Sequence, residues 1–516
     1  MPDDAHLEAA GAVIGAILID IRDIFDEHDE REDTLLYRAA DRLHRRTRDS
    51  AIQAQLLFAS GDAYKARKLA ETERKLRLLP YVYDAHVVPV RVHDGKVDIR
   101  VITHDVWTLS PGFSFGRTGG ANTTNINIEE SNLFGWGKGV QYEHVHSVDR
   151  TSNGVQWSDP NTFGSRWTTA AVFVDSSDGH QRAVQVMRPF YELDARWSVN
   201  FSASSYDRTI SRYSLGQIVD QFSDNETFFE LSGGISQGLR DGWVLRWLGG
   251  MRYDRSRFGP APATTTPALQ LPPDRILSYP FVGIDLIQDD YRKLADQNQI
   301  GRTEDFFYGT EVTAGVGLSN SGFGADRNAI ILAASARKGY DFNETQQLFL
   351  ASTFSSRLAD QQFHNLIATT AASYYWRWRP NWLLFSSLRA TVSGALDPDA
   401  QLLLGGDNGL RGYPLRYESG TKRAVFTVEQ RFYTDWYPFR LVRVGGAVFT
   451  DVGRTWGTGV IGNSEPGLLR DVGFGLRLGN TRSGLGNVLH IDLAFPLKQL
   501  PGIRRTQFVV QTLQSF

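Results

Sequence analysis

A serine and two glycines in this sequence have the spacing of a hydrolase motif. Gly234-Ile235-Ser236-Gln237-Gly238 matches the G-x-S-x-G pattern, which needs a strand-to-helix turn and nearby His and Asp partners. Here Ser236 lies inside an alternating stretch, with no helical pattern after it and no convincing partner. An esterase is therefore the least favoured function, and we predict that the protein is not an enzyme.

Two histidines have the spacing of a partial metal site. His144 and His146 are two residues apart, so on a strand they share one face and could contribute two ligands. The sequence shows no third ligand nearby, which favours ordinary polar positions. Cysteine is absent, which excludes disulfide scaffolds and thiolate metal sites and fits an exported protein. We predict no metal and no cofactor.

Alternation of apolar and polar residues dominates the chain after Trp107. Tyr191 to Ala203 alternate without a break over 13 residues, which predicts one strand. The composition, with 49 Gly, 30 Phe, 19 Tyr and 12 Trp but 3 Met, also suits β structure. The same period recurs in residues 229–236, 242–254, 443–452, 471–479 and 489–497.

Alternation alone fits either a soluble β-sandwich or a membrane barrel. Here one face is apolar and aromatic, while the other carries Arg, Glu and Asp segment after segment. Lipid outside and water or protein inside requires that arrangement. Since a spanning strand needs ~9–11 residues, the chain after residue 106 has room for strands in the mid-teens. The sequence therefore predicts a mainly β protein with a transmembrane antiparallel β-barrel over residues 107–516.

Two acidic residues lie on otherwise apolar barrel segments. Alternation places Asp451, in Phe449-Thr450-Asp451-Val452-Gly453, on the opposite face from Thr450 and Val452. Glu429 is also on the polar face of its strand. A carboxylate facing lipid is costly, so both are expected to face the interior. A solvated wall and a specific ion pair both remain open for them.

The first 106 residues mix helical and strand patterns. They read as a strand, two helices and two strands, forming a small α+β domain with an N-terminal extension over residues 1–106. The predicted elements are Val13–Ile21, Glu30–Arg46, Ala63–Leu79, Val82–Val92 and Lys96–Thr103. The apolar run Ala10 to Ile19 has about half the ~20 residues of a spanning helix, so we predict a buried strand there and see no export signal in this chain.

A glycine-rich stretch near residue 410 is unusually apolar for a loop. Leu403 to Tyr417, LLGGDNGLRGYPLRY, combines dense glycine with leucine and tyrosine and one central arginine, Arg411. A solvated loop would not need those apolar side chains. The chain then closes on a strand ending in Phe516, which resembles the signal by which bacterial outer-membrane barrels are recognised for assembly.

Together these features resemble the BamA/TamA superfamily of bacterial surface antigens, in which periplasmic POTRA domains precede an outer-membrane barrel. Residues 57–90 have a residue pattern that resembles a single POTRA domain. Asn132 to Gly135 looks like the family's first barrel hairpin. Leu410 to Tyr413 looks like its Arg-Gly-aromatic motif, and Phe449 to Gly453 like its interior acidic strand.

The resemblance implies a barrel of about sixteen strands with a loop folded back into its lumen. On that loop, Arg411 would pair with Glu429 and Asp451, because a planar guanidinium meets carboxylates in two-pronged fashion. The site residues implied by the motifs are Leu410, Arg411, Gly412, Tyr413, Glu429, Phe449, Asp451 and Gly453, with Phe516 as the assembly signal.

The implied function is insertion or translocation of polypeptides at the bacterial outer membrane. The POTRA-like domain would lie in the periplasm and capture an unfolded client by strand addition, and the barrel would form the pathway. The alternative is a passive pore or structural barrel. Expected partners are outer-membrane lipid, an unfolded client polypeptide and periplasmic accessory proteins. A net charge of -3 argues against nucleic acid.

Overall fold

The chain folds into a small N-terminal α+β unit and a large β-barrel. The computed structural model describes residues 2–25, 44–261, 270–300, 302–459, 461–480, 488–500 and 502–513. None of the helices in these ranges is long and apolar enough to cross a membrane.

A three-stranded sheet forms the N-terminal unit. It has the order β1-β3-β2, in which β1 runs parallel and β2 antiparallel to the central β3. The elements are α1 (Asp4–Ala9), β1 (Val13–Arg22), α2 (Asp49–Gln53), α3 (Ala66–Arg77), β2 (Val82–His93) and β3 (Lys96–Asp105). Ile52 and Leu76 from the helices pack on Ile14, Val97 and Ile99 of the sheet. Most of the helix predicted over Glu30–Arg46 lies outside the described residues.

The barrel closes with 20 strands in the described part of the chain, so the expectation of about sixteen is wrong. Neighbouring strands are antiparallel throughout. They are β4 (Leu109–Thr118), β5 (Ala121–Glu130), β6 (Gly139–His146), β7 (Thr151–Asp159), β8 (Thr168–Ser176), β9 (Gly179–Arg188), β10 (Trp197–Ser214), β11 (Gln217–Arg240), β12 (Trp243–Pro260), β13 (Arg275–Gln288), β16 (Thr310–Ser319), β17 (Ala329–Asn343), β18 (Gln346–Ala359), β19 (Gln362–Arg379), β20 (Trp382–Gly394), β23 (Lys422–Tyr433), β24 (Val442–Trp456), β25 (Leu469–Asn480), β26 (Val488–Pro496) and β27 (Gln507–Leu513).

Short strands near the start of the barrel explain the larger number. β4 to β9 are each 8–10 residues long and are joined by short turns. Six strands therefore fit into residues 109–188. The strict alternation that predicts strands elsewhere is weak in this region, because both polar and apolar residues occur on each face.

The barrel wall has its apolar side chains outside and its charged side chains inside, the reverse of a soluble protein. In β25, Val472, Phe474 and Leu476 are exposed on the outside, whereas Asp471 and Arg477 are fully buried inside. In β26, every second residue is buried. Apolar side chains outside and charges inside match a strand with lipid on one face and the barrel interior on the other.

The longest alternating stretch of the sequence is only partly a strand. β10 begins at Trp197, so the prediction of one strand over Tyr191–Ala203 is wrong for its first six residues. Those residues instead form a docking segment for α3. The Leu193 N–H donates to Glu71 Oε1 at 2.7 Å, and Arg67 contacts Asp194 at 2.6 Å. The alternating acidic residues of this segment therefore contact α3 and do not line the barrel interior.

Two small hairpins are separate from the barrel wall. β14 (Tyr291–Ala295) and β15 (Thr303–Phe307) pair between β13 and β16, at the end of the barrel nearest the N-terminal sheet, which we call the proximal end. β21 (Leu402–Leu404) and β22 (Glu418–Gly420) pair within residues 395–421, which connect β20 to β23 and are called the lumen loop below.

Candidate functional site

The lumen loop packs against the inner face of the barrel. Leu404, Leu410 and Tyr413 are fully buried and contact Val425 of β23 and Leu469 of β25. The Tyr413 hydroxyl donates to the Arg470 carbonyl at 2.8 Å. The apolar residues that a solvated loop would not need therefore form a small core between loop and wall.

Arg411 is fixed by carboxylates on the barrel wall. Its Nε and Nη2 donate to the two oxygens of Asp451 at 2.8 and 3.0 Å, and its Nη1 donates to Glu429 at 2.8 Å. Its guanidinium carbon lies 3.3 Å from the ring centroid of Phe449. Planar two-pronged bonding on one edge and ring stacking on the face are interactions that lysine would not reproduce.

The ion pairs continue along the wall beyond Arg411. Arg431 and Arg477 contact Glu429 at 3.2 and 3.3 Å. Arg477 also donates to Asp492 at 2.5 Å, and Arg411 approaches Asp492 at 3.6 Å. The wall members of this network are almost completely buried and Arg411 is 13% exposed, so each charge depends mainly on its neighbours instead of on water. The lumen loop is thus tied to β23, β24, β25 and β26 through one network.

Two glycines allow the loop to lie this close to the wall. The Gly412 N–H donates to Asp471 at 3.0 Å, and a Cβ on Gly412 would come within 2.6 Å of the Asp471 Cβ. A Cβ on Gly453 would lie 3.1 Å from Leu404 and 3.2 Å from Leu410. Glycine at these positions removes atoms that would otherwise hold the loop off the strands.

A buried acid anchors the other end of the lumen loop, outside the spanning strands. Glu418 is fully buried, and its Oε2 accepts from the Thr455 N–H at 2.6 Å. Burial raises the pKa of Glu418 from its ordinary 4.5 to about 7, although the Thr455 hydrogen bonds oppose the rise. The folded loop therefore favours the neutral carboxyl.

This pKa gives the loop a pH dependence of known sign. Because the folded pKa lies above the unfolded one, stability is fully present below pH 4.5 and is lost as the pH rises through 7. We expect the temperature at which the folded gel band is lost to fall between pH 5 and pH 8 in wild type but to stay level in Glu418→Gln. A parallel fall in both proteins would contradict this assignment.

The structure places the residues singled out in the sequence as one group. Arg411, Gly412 and Tyr413 contact the wall, with Glu429 and Asp451 beneath the guanidinium. Leu410, Phe449 and Gly453 supply the surrounding packing. Phe516 lies outside the described residues. The functional role of this group stays a prediction.

Three further members of the network were missed in the sequence. The three are Arg431, Arg477 and Asp492. Each lies an even number of residues from other buried residues of its strand and therefore on the same, inner face. That parity was a usable signal, because a charge on the inner face of a barrel needs a partner. What the sequence did not show is which strands lie side by side.

The hydrolase and metal patterns have ordinary structural roles. Ser236 lies within β11 and donates to the Leu245 carbonyl at 2.9 Å. His144 contacts Asn153 at 2.9 Å, and His146 contacts Thr151 at 2.7 Å. Among the described residues, no group of three or more His, Cys, Asp or Glu side chains is placed to hold a metal ion.

A family comparison agrees with this architecture. Residues 323–515, which carry the lumen loop and every member of its network, match the Omp85 superfamily domain. This stretch of the chain is an Omp85 superfamily domain. The predicted resemblance to the BamA/TamA group is thereby confirmed for this domain at superfamily level. No curated protein sequence matches the chain.

Solved structures that are similar to this chain include a BamA and two CdiB proteins. BamA from Haemophilus ducreyi lacking POTRA domains 1–3 shares 12% identity with a TM-score of 0.39, over 97% of this chain and 85% of that one. CdiB from Acinetobacter baumannii shares 13% identity with a TM-score of 0.46, over 98% and 74%. CdiB from Escherichia coli shares 13% identity with a TM-score of 0.48, over 97% and 76%.

Proposed function

We propose that this protein inserts polypeptides into the bacterial outer membrane or moves them across it. The observation that carries the proposal is the junction between the last and first barrel strands. Among the described residues, β27 and β4 share a single register pair, Val510 with Arg117. By contrast, β27 pairs with β26 along its whole length. A junction with few ladder hydrogen bonds is the place where a barrel opens most easily toward lipid.

Capture of the client would take place at the N-terminal sheet. Its order of elements supports a POTRA-like domain, which we place in the periplasm at the proximal end of the barrel. β2 is an edge strand of that sheet, and an edge can accept an extended chain through main-chain hydrogen bonds with little sequence preference. Outer-membrane lipid and an unfolded polypeptide are the partners that follow, and periplasmic accessory proteins stay a prediction.

A passive pore is the alternative function, and the lumen contents argue against it. A steady pore needs an open aqueous channel. Here the lumen loop packs on the wall through Leu404, Leu410 and Tyr413, and Ile300 of the proximal hairpin packs on Tyr375 and Leu383. Both elements take up space inside the barrel, which supports an obstructed lumen over a steadily open one.

Locking the junction tests the proposed function. The chain has no cysteine, and opposed residues of antiparallel strands lie about 4.5–5.5 Å apart at Cα, within disulfide range. We expect Arg117→Cys with Val510→Cys, once oxidised in liposomes, to abolish acceleration of the folding of an unfolded barrel protein. A reductant should restore it.

A second disulfide, between the last two strands of the barrel, provides the control. Leu493 and Phe508 are register partners on β26 and β27, so Leu493→Cys with Phe508→Cys joins strands that already pair fully. This variant should keep its activity when oxidised. A locked junction that still accelerates client folding, or a wild-type protein that never does, would refute the proposal.

A further inference from the structure

The hairpin between β13 and β16 occupies the proximal mouth of the barrel. We define the plug hairpin as β14, β15 and the described residues of the tip between them. Ile300 at its tip is buried against the inner wall. The wall residues of that cluster come from β19, β20, β23, β24 and β26, namely Tyr375, Leu383, Tyr433, Ala447 and Val488. The tip therefore reaches several strands instead of extending into solvent.

Polar contacts fix the tip in a defined conformation. The Tyr375 hydroxyl donates to Asn298 at 2.8 Å, and Arg431 donates to the Gln297 carbonyl at 3.0 Å. Backbone N–H groups of Gln297 and Asn298 donate to Glu304 of the same hairpin at 3.0 and 3.1 Å. These hydrogen bonds give the tip a defined conformation instead of that of a flexible connection.

Helix α3 holds the base of the plug hairpin from the outside. Arg77 donates from Nε and Nη2 to the two oxygens of Asp305, both at 2.7 Å. Glu73 pairs with Lys293 on the opposite strand of the hairpin. The Arg74 guanidinium lies 3.8 Å from the Tyr291 ring centroid. We call the pairs Arg77–Asp305 and Glu73–Lys293 the latch.

The latch residues also occupy the outer edge of β2. Arg77 Nη1 donates to the Ala85 carbonyl at 2.9 Å, and the Val87 N–H donates to Glu73 Oε2 at 3.0 Å. Burial opposes ionisation of Glu73, but hydrogen bonds from Lys293, Arg77 and the Val87 N–H hold its pKa below the ordinary value. Glu73 is therefore ionised at neutral pH.

We propose that strand addition at Ala85–Val87 releases the plug hairpin. An extended polypeptide that pairs with this edge replaces Arg77 and Glu73 as partner of the β2 backbone. Both side chains then lose the contact that holds them between the sheet and the hairpin, which weakens their pairs with Asp305 and Lys293. This inference rests on the proposed function, since it makes client capture the signal that opens the barrel.

Conductance of the full-length protein in planar bilayers tests the latch. Asp305→Asn keeps the shape of the side chain but removes the charge that Arg77 holds. We expect open probability to rise about tenfold, the scale expected when charge-assisted hydrogen bonds are lost. Asp326→Asn is the matched control, because Asp326 also receives two hydrogen bonds from one arginine, Arg327, but lies beside the start of β13, at the opposite end of that strand from the hairpin. It should conduct like wild type.

A disulfide tests whether the hairpin itself is the obstruction. A Cβ built on Gly479 would lie 3.4 Å from the Ile300 Cβ, close to the separation in disulfides. Oxidised Ile300→Cys with Gly479→Cys should stay closed, even with Asp305→Asn added, and should open on reduction. Gel mobility of each variant before and after heating reports whether the barrel is folded.

A short synthetic peptide of alternating valine and lysine tests the coupling to strand addition. It should open wild type but not the oxidised disulfide variant, whereas an N-methylated copy, which lacks ladder donors, should open neither. Equal conductance of Asp305→Asn and wild type would overturn the latch. If Asp305→Asn conducts but the peptide does not raise the conductance of wild type, the latch stands and its coupling to strand addition is refuted. Neither result depends on client folding, so failure of the proposed function stays distinguishable.

Discussion

Arg411→Ala is expected to destabilise the folded barrel by about 3–5 kcal/mol, the range for removing one partner of a buried ion pair. Asp451 loses the most hydrogen bonds in this variant. Glu429 keeps its contacts with Arg431 and Arg477, whereas Asp451 loses both hydrogen bonds from Arg411 and keeps the one from Thr427. Loss of the folded band at a lower temperature on gels, together with slower client insertion, measures the effect.

Two companion variants separate lost charge from lost shape. Arg411→Lys retains a charge but not the two-pronged bonding or the stacking on Phe449, so its stability should fall between wild type and Arg411→Ala. Adding Asp451→Asn to Arg411→Ala removes the uncompensated charge and should recover part of the loss. Wild-type gel mobility and full activity in Arg411→Ala would contradict the structural role of this residue.

The centre of this site was readable from the sequence because membrane physics restricts acids severely. Asp451 and Glu429 lie on alternating strands where an outward carboxylate would face lipid, so their inward direction followed from parity. The choice of Arg411 as their partner came from the family resemblance. Arg477 and Asp492 needed strand order as well, since residues far apart in the sequence meet only through the register of β25 and β26.

The sequence predicts the fold class, but not the number of strands, the start of β10 or the plug hairpin. Alternation indicates a barrel, yet it does not count strands where both faces are mixed, as in β4 to β9. It also predicts too early a start for β10. Glu192 and Asp194 fit the alternation, but they form ion pairs with Lys68 and Arg67 of α3 instead of facing the barrel interior. The plug hairpin had no sequence signal of its own, since a short strand pair inside a barrel resembles two ordinary wall strands.

One chain of contacts joins the lumen loop to the N-terminal sheet. Arg411 meets Glu429, Glu429 meets Arg431, and Arg431 donates to the Gln297 carbonyl of the plug hairpin. The base of that hairpin is held by Arg77. Buried ion pairs have discrete arrangements rather than continuous ones, so motion at either end has a physical route to the other. Combining Arg411→Ala with Asp305→Asn would measure that coupling.

Gly412→Ala is expected to displace the lumen loop and destabilise the barrel by about 1–3 kcal/mol, the range for overpacking. The new Cβ would come within 2.6 Å of the Asp471 Cβ and 3.1 Å of its Cγ, on a strand that cannot retreat without breaking its ladder. The shift would also lengthen the hydrogen bond from the Gly412 N–H to Asp471. Because Arg411 and Tyr413 flank this position, both of their contacts weaken together.

The size of the Gly412→Ala effect depends on close approach and not on glycine as such. Gly394→Ala is the matched control, since a Cβ there meets nothing nearer than Leu366 at 3.9 Å. It should keep the gel transition temperature of wild type. Combined with Arg411→Ala, Gly412→Ala should add much less than it costs alone, because the loop has already left the wall. Full additivity would mean that the two residues hold the loop independently, contrary to the single network described above.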